Sequence, residues 1–252
     1  MVYAVARANT EALPKDAALK QPVLRKAHRW LGIVAALQLL IWTGSGLFFA
    51  VMPIDGIRGA GIVEQSAAFR LKHVSLIPPN QLVRGQPALD NVSIDDVQIR
   101  QRLNTPIYLI TVDKRWLAFN ARTGERLPPL NENEARMIAR NNSRSEVRSA
   151  VLVTELSPGS EYREGGELPA WRVELEGTDG AALWIGANSG QINAVRTRQW
   201  RLYDLLWSLH IMDYRGRDNF NTWLLRGFAL LGVITMLSGV WLFFKSLRRR
   251  VR

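Results

Sequence analysis

Cysteine is absent from the 252 residues of this chain. Its absence excludes disulfide bonds, cysteine-ligated zinc and iron–sulfur sites, and a thiol nucleophile. It leaves the compartment open, because many proteins of oxidising compartments also lack cysteine. Histidine is scarce as well, and the three imidazoles belong to His28, His73 and His210. Any mechanism that needs an imidazole therefore has few candidates.

The sequence also lacks the motifs of common catalytic sites. It contains no GxSxG, no HExxH, no close Ser/His/Asp grouping and no phosphate-binding glycine loop. Glu132, Glu134 and Arg136 are interpreted as a solvated helix face. The polar segment 213–218 predicts a loop at the membrane surface, where its two arginines would touch lipid phosphates or a partner. These features favour a non-enzymatic role.

The formal net charge of +11 would suit a nucleic-acid-binding protein, but its distribution does not. Residues 1–29 carry +4 and residues 245–252 carry +5, which leaves +2 for the middle of the chain. A nucleic-acid binder needs a basic stripe on its folded surface. Two basic ends beside apolar runs instead follow the positive-inside rule of membrane proteins. Nucleic acid is therefore not an expected partner, whereas a lipid bilayer is.

Two apolar runs of 21 residues, Leu31 to Val51 and Leu224 to Phe244, predict membrane-spanning helices. Each is long enough to cross a hydrocarbon core of about 30 Å. The one charge within them, Arg226, lies in a first helical turn, from which it can snorkel to the headgroups. Buried core helices are the alternative, which the basic clusters at the run ends disfavour. No small-x-small site follows the first run, so it is expected to remain as an anchor rather than be cleaved as a signal peptide.

The basic ends also set the expected orientation. Because both lie within a few residues of a span, both termini are expected in the cytoplasm and the middle of the chain on the opposite side. Tryptophan favours the headgroup region, although Trp42 lies somewhat deep. The residues expected at the membrane interface are Trp30, Trp223, Trp241, Arg248, Arg249 and Arg250.

Small residues recur on one face of each predicted span. Gly32, Ala36 and Thr43 form one such face, and Gly232, Thr235 and Gly239 form the other at i, i+3 and i+7. Small faces let helices approach closely, which predicts contact between the spans or with partners. The alternative, that glycine and alanine are simply common in spans, explains either face alone equally well.

The middle of the chain contains a repeat. In both copies a polar strand is followed by a Pro-led strand, a short loop, another strand and a Thr/Ser-Gly turn. The turn glycines, Gly124 and Gly190, lie 66 residues apart. Alternating apolar residues predict strands with one buried and one wet face. A helix is predicted to begin after Asn131, a capping residue followed by an acidic turn, and another lies within Trp200 to Met212.

At these residues the sequence resembles the PepSY-associated transmembrane proteins of bacteria. The resemblance rests on HRWLG from His28, SG at Ser45, the turns ending in TGE and SGQ, and LWSLH from Leu206. It implies an α+β fold with two PepSY units, in which a helix packs on an antiparallel sheet, between two transmembrane helices. It also implies a bacterial inner-membrane address with the units in the periplasm.

The expected segments are a cytoplasmic tail (1–29), a first transmembrane helix (30–52), periplasmic units 53–126 and 127–199, an interfacial helix and loop (200–222), a second transmembrane helix (223–244) and a basic cytoplasmic tail (245–252).

Two functions from different classes follow. The favoured one is a membrane-anchored, periplasmic protein-binding or regulatory module, which could serve as an accessory subunit of a membrane complex, with no cofactor. The alternative, which the resemblance brings in, is a haem b-linked oxidoreductase of iron uptake or respiration, related to ferric-siderophore reductases. Its haem ligands would be His28 or His210. These two residues are expected at opposite ends of a span, so one chain cannot pair them across a haem and a homo-oligomer would be needed.

Overall fold

A computed structural model describes residues 16–64, 75–89, 93–113, 115–163 and 166–250. Within these ranges it leaves out the side chains of 16–24, 88, 245 and 247–250. His73 therefore lies outside the described residues, as do the side chains of Arg248, Arg249 and Arg250.

Two long helices, α1 (Asp16–Val51) and α6 (Trp223–Arg250), flank everything else. Their apolar parts, Arg25–Val51 and Trp223–Phe244, have mean hydropathies of 1.8 and 2.0. Only 6% of the most apolar window of α1 is buried, and none of that of α6. Core helices of a soluble protein would bury most of this surface, so an apolar environment must cover it.

The first sheet has four antiparallel strands in the order β1-β2-β3-β4: β1 (Ile94–Arg102), β2 (Thr105–Val112), β3 (Arg115–Asn120) and β4 (Arg126–Leu127). One face packs under helix α3 (Pro79–Arg84) and a 3₁₀ turn at Pro87–Leu89. Tyr108 and Phe119 are the largest buried side chains of this core.

The second sheet repeats the arrangement with β5 (Val147–Val153), β6 (Ala170–Leu175), β7 (Ala182–Gly186) and β8 (Ile192–Arg196). Helix α4 (Glu132–Asn142) covers one face with Ala135, Ile138 and Ala139. Asn131 caps α4 as predicted, and Glu134 returns a bond to the Asn131 N–H. Such a capping box satisfies two otherwise unpaired N–H groups. The predicted α+β fold is confirmed.

The repeat is visible in the backbone. Gly124 and Gly190 both have positive φ, which glycine adopts without steric cost. Gly124 N–H donates to Asn120 O, and Gly190 N–H donates to Gly186 O, at corresponding positions 66 residues apart. The two sheets are therefore built on one plan.

The expectation of one wet face in each sheet is wrong for β2. Ile107 and Leu109 are as buried as Tyr108 and Ile110, which point to the opposite face. Ile107, Leu109 and Ala118 form a second small cluster, with Trp116 and Leu127 packed against it. A central strand with neighbours on both sides has less need for polar residues than an edge strand, so an alternating pattern understates its burial.

Three further segments connect the sheets to the spans. A short helix, α2 (Ile54–Ile57), follows α1, and residues 59–64 then lie on the second sheet unit, where Glu64 N–H donates to Asn142 O. Helix α5 (Arg198–Ile211) begins after its cap Thr197 and packs against both α1 and α2. A helix over the predicted segment is confirmed.

Candidate functional site

The second sheet unit meets the first span where α5 lies against the end of α1. The Ser45 hydroxyl of α1 lies 2.8 Å from Nδ1 of His210, and Trp42 Nε1 donates to His210 O at 2.8 Å. Ser45 is almost fully buried, which keeps water from competing for this bond. We call this contact and the two loops beside it, residues 156–163 and 212–219, the junction.

Aromatic rings surround the imidazole of His210. Phe49 lies edge-on to it with 5.6 Å between ring centroids, and Trp207 stacks parallel to it at 6.4 Å. Tyr203 continues the row, with its centroid 4.8 Å from that of Phe49. Such ring pairs contribute about 0.5–1.5 kcal/mol each beyond area burial. The junction is therefore a packed contact rather than a loose tether.

A buried carboxylate also lies on α5. Asp204 is 3% exposed and accepts hydrogen bonds from the guanidinium groups of Arg163 and Arg217. These two arginines come from the two junction loops, so Asp204 holds both loops against the helix. Removing one partner of a buried ion pair leaves an uncompensated charge, which costs about 3–5 kcal/mol.

Asp213 organises the loop that leads into α6. Its carboxylate accepts backbone hydrogen bonds from Arg215, Gly216, Asp218 and Asn219. Burial alone would raise the pKa of Asp213, but the four N–H donors outweigh it and hold the pKa below its ordinary value. The loop is thus folded around an ionised carboxylate.

Glu161 links the second sheet to α5. It accepts bonds from Arg172 of β6 at 2.8 Å and from Arg201 of α5 at 2.9 Å. Burial raises the pKa of Glu161, but the hydrogen bonds and charges of the two arginines lower it by more, so the net shift is downward. Sheet, loop and helix are therefore joined by one charged network.

A cavity of about 530 Å³ opens between the two junction loops. It is lined by residues 156–160, Tyr162, Arg163, Asp213, Arg215, Gly216, Asp218 and Asn219. Asp213 is occupied by backbone donors, and Asp218 lies 3.9 Å from Arg163. Among the described residues, Arg215 makes no ion pair. The cavity therefore presents one uncommitted cation in a lining whose carboxylates already have partners.

The structure does not bring His28 and His210 together. His28 lies 17 residues before Ser45 on α1, which places the two imidazoles about 25 Å apart along the helix. Nδ1 of His28 lies 2.6 Å from Ser238 Oγ of α6. Each histidine thus contacts a different helix, and a single chain cannot supply both as axial ligands of one haem.

Both histidines contact a serine hydroxyl through Nδ1. Ser45 Oγ also lies 2.8 Å from Ile41 O, and Ser238 Oγ lies 2.8 Å from Thr235 O. Each hydroxyl has one hydrogen to share between its carbonyl and its histidine, and neither Nε2 atom takes part in a hydrogen bond with a described residue. No group of three metal-ligating side chains occurs among the described residues.

The predicted interface tryptophans, Trp30, Trp223 and Trp241, are all exposed on the spans. Of the predicted packing residues, Gly239 faces α1, because a Cβ added there would lie 3.7 Å from His28 Cε1. At Gly32 and Gly232 an added Cβ would meet no atom within 4 Å, and Ala36 is exposed. Thr235 has a buried hydroxyl. Whether these residues mediate packing stays a prediction.

Sequence reasoning missed Asp204 and Arg163. A signal for Asp204 was present, because it is the only acidic residue in the apolar helix that contains LWSLH. A lone carboxylate in such a helix is expected to need a buried cation. Nothing in the sequence around Arg163 indicated that it would be that partner.

A known protein family matches nearly the whole chain, including both sheet units, both spans and the junction. Residues 3–246 match the PepSY-associated TM region. The chain belongs to this family. No curated protein and no solved structure matches it. The family match and the two apolar helices make this PepSY protein a membrane protein with an α+β domain between two transmembrane helices.

Proposed function

We propose that this PepSY protein is an inner-membrane accessory or regulatory subunit whose two-sheet domain binds a protein partner in the periplasm, with both termini in the cytoplasm. The observation that carries the proposal is the junction. A binding domain that only needed an anchor would be served by a flexible linker. Here hydrogen bonds, stacked rings and a buried ion-pair network fix the domain to the first span.

The rigid junction gives a partner a way to act on the membrane helices. A partner bound at the 530 Å³ cavity would contact loops that Asp204 holds to α5, and α5 contacts Ser45 of the span. Force on either loop is then transmitted through packed side chains to α1. A membrane complex that moves α1 would act on the domain through the same contacts.

The exposed surface of the two spans supports a membrane partner. Two helices bury only a narrow stripe between them, and most of their apolar side chains face outward. The exposed small residues Ala36 and Gly227 offer places where another helix approaches closely. This arrangement suits a subunit of a larger assembly.

The proposal is tested by photo-crosslinking in intact cells. A photoreactive amino acid replaces Ser157 in the cavity, and, as a control, Arg140 on the exposed face of α4. A specific crosslinked protein from position 157 and none from position 140 is expected. A protein that purifies as a monomer and gives no crosslinked product from either position would overturn the proposal.

A second candidate, haem-linked electron transfer, is favoured by one observation. Both His28 and His210 bond to a serine through Nδ1 and leave Nε2 without a partner among the described residues, and a metal-binding histidine likewise has its other nitrogen fixed by a hydrogen bond. His28 fits better, because the ring of His210 is enclosed by Trp42, Phe49 and Trp207. The two copies of His28 in a dimer would hold haem b, which would supply one-electron chemistry.

Absorption spectroscopy separates the two candidates. Protein purified in detergent from haem-replete cells should show a Soret band if haem is bound. The band should be lost in His28→Ala and kept in His210→Ala. A colourless preparation excludes the haem candidate and leaves the first proposal intact.

A further inference from the structure

The two repeat units differ in their fourth strand. In the second unit β8 has five residues, and it pairs with β7 from Ala182 to Ile185. In the first unit β4 has only two residues, and it pairs with β3 at Ala118 and Phe119 alone. One side of β3 is therefore left partly uncovered.

Comparison of the two units shows what is missing. Trp116 and Leu117 of β3 lie 66 residues before Ala182 and Leu183 of β7, which pair with Arg196 and Val195. In the first unit Ala118 pairs with Leu127, so continuing that register would place Pro128 opposite Leu117 and Pro129 opposite Trp116. Proline has no N–H to donate, so the two prolines end the strand after Leu127.

The chain then leaves the sheet. Pro128 O accepts a hydrogen bond from Arg102, and Leu130 N–H donates to Ala187 O of the second unit. Trp171 Nε1 in turn donates to Leu130 O. These bonds anchor the segment after β4 to Arg102 and to the second unit, and no described residue pairs with Trp116 or Leu117 on the open side.

The open edge presents usable backbone groups. Asn120 N–H donates outward to Glu125 O, and backbone direction alternates along a strand. The N–H and C=O of Trp116 therefore point outward as well, whereas those of Leu117 point to Ile110 in β2. An unpaired donor and acceptor on one residue is what an added antiparallel strand pairs with.

A cavity of about 320 Å³ lies beside this edge. Its lining is largely apolar, with Leu117, Ala118, Leu127 and the two prolines, and its polar members are Asn188 and Arg126. Arg126 is exposed, is the only charged residue of the lining, and makes no ion pair with any described residue. Apolar walls with one free guanidinium fit an apolar side chain next to a carboxylate.

We infer that the open edge of β3 binds an extended peptide segment of a partner protein, which adds as an antiparallel strand at Trp116 and Leu117. The segment places an apolar side chain in the cavity and an acidic residue at Arg126. The bound segment would extend the pairing along β3 in the first unit, as β8 does along β7 in the second. This inference rests on the proposed role as a protein-binding module and names the chemistry of the bound segment.

The probe is a phage-displayed library of eight-residue peptides, selected on the full chain in detergent. Selected peptides should combine β-branched or aromatic residues with Asp or Glu, and their affinities are then measured by fluorescence anisotropy. Trp116→Pro removes the outward N–H, and its matched control, Trp116→Ala, removes the same side chain but keeps that N–H. Proline should weaken binding about tenfold more than alanine.

A second pair of variants tests the charge without touching the backbone. Arg126→Glu should weaken the acidic peptides about tenfold or more, whereas Arg122→Glu, the same charge change in the exposed turn outside the cavity, should change binding less than about twofold. Methylation of every second peptide nitrogen removes alternate N–H donors. A peptide methylated on the amides that point away from β3 should therefore still bind, whereas one methylated on the amides that face β3 should not. Equal binding to all four variants, or no selected peptide, overturns the inference.

The same variants separate this inference from the proposed function. If the cellular partner is crosslinked from position 157 equally well in Trp116→Pro and Trp116→Ala chains, and no peptide binds the β3 edge, the edge inference is wrong and the module role stands. If no partner is crosslinked while peptides bind the parent chain in the expected way, the edge is supported and the accessory role fails.

Discussion

His210 Nδ1 and Ser45 Oγ lie 2.8 Å apart in a hydrogen bond, and this bond joins the helix that follows the second sheet to the first span. His28 makes the same kind of bond to Ser238 at the other end of α1. One span is thus tied by a histidine–serine pair to α5 and by another to α6. The hairpin and the domain consequently form one connected body.

We expect Ser45→Ala to loosen the junction. The variant loses the hydroxyl partner of His210 in a site where water is excluded, so the free energy of unfolding should fall by about 1–2 kcal/mol. Ser246→Ala is the matched control, because that hydroxyl bonds only to Phe243 O of its own helix. Thermal unfolding in detergent, followed by tryptophan fluorescence, measures both. Equal melting temperatures for the two variants would contradict a stabilising role for the Ser45 bond.

Asp204→Asn should destabilise the domain more strongly. The amide keeps the shape of the side chain but leaves Arg163 and Arg217 without a buried counter-charge, at a cost of about 3–5 kcal/mol. Asp218→Asn removes an exposed carboxylate 3.9 Å from Arg163 and should cost less than about 1 kcal/mol. Denaturant unfolding of the two variants gives the comparison. An Asp204→Asn chain as stable as Asp218→Asn would show that the two arginines are adequately solvated without the carboxylate.

The spans, the repeat and the start of α4 were predictable because each depends on local pattern. A charge-free run of 21 residues, two Thr/Ser-Gly turns and an Asn cap with Glu134 three residues later each fix structure within a few neighbours. None of these needs knowledge of what lies across the fold.

The junction was not predictable, because its partners are far apart in the sequence. Ser45 and His210 are 165 residues apart, and Arg163 and Asp204 are 41 apart. Sequence pattern shows that Asp204 needs a cation but does not choose among the many arginines of this chain. The short β4 is an intermediate case. Pro128 and Pro129 predict where the strand ends, but only comparison with β8 shows which residues of β3 are left unpaired.

Acid should weaken the junction through Asp213. Its pKa is lowered in the folded protein, so the carboxylate contributes stability above its unfolded pKa, near 3.9, and that contribution is lost as pH falls through the lower folded value. Melting temperature should therefore decline below about pH 4. Asp213→Asn should start less stable and show a shallower decline, because its amide does not ionise. A parallel decline in parent and variant would assign the acid sensitivity to other groups, with Glu161 the first to examine, since its pKa is lowered as well.

The proposed orientation has a direct consequence for protease access. If the two-sheet domain is periplasmic, trypsin added to intact spheroplasts should cut it at exposed arginines such as Arg115 and Arg122, because both lie on the surface of the first sheet unit. An epitope placed after Arg252 should remain protected on a fragment that contains α6, because the positive-inside rule holds that end in the cytoplasm. Inverted vesicles should give the opposite pattern, with the epitope removed and the domain intact. A domain that resists trypsin in spheroplasts and is cut in inverted vesicles would reverse the topology and, with it, place the partner of the β3 edge in the cytoplasm.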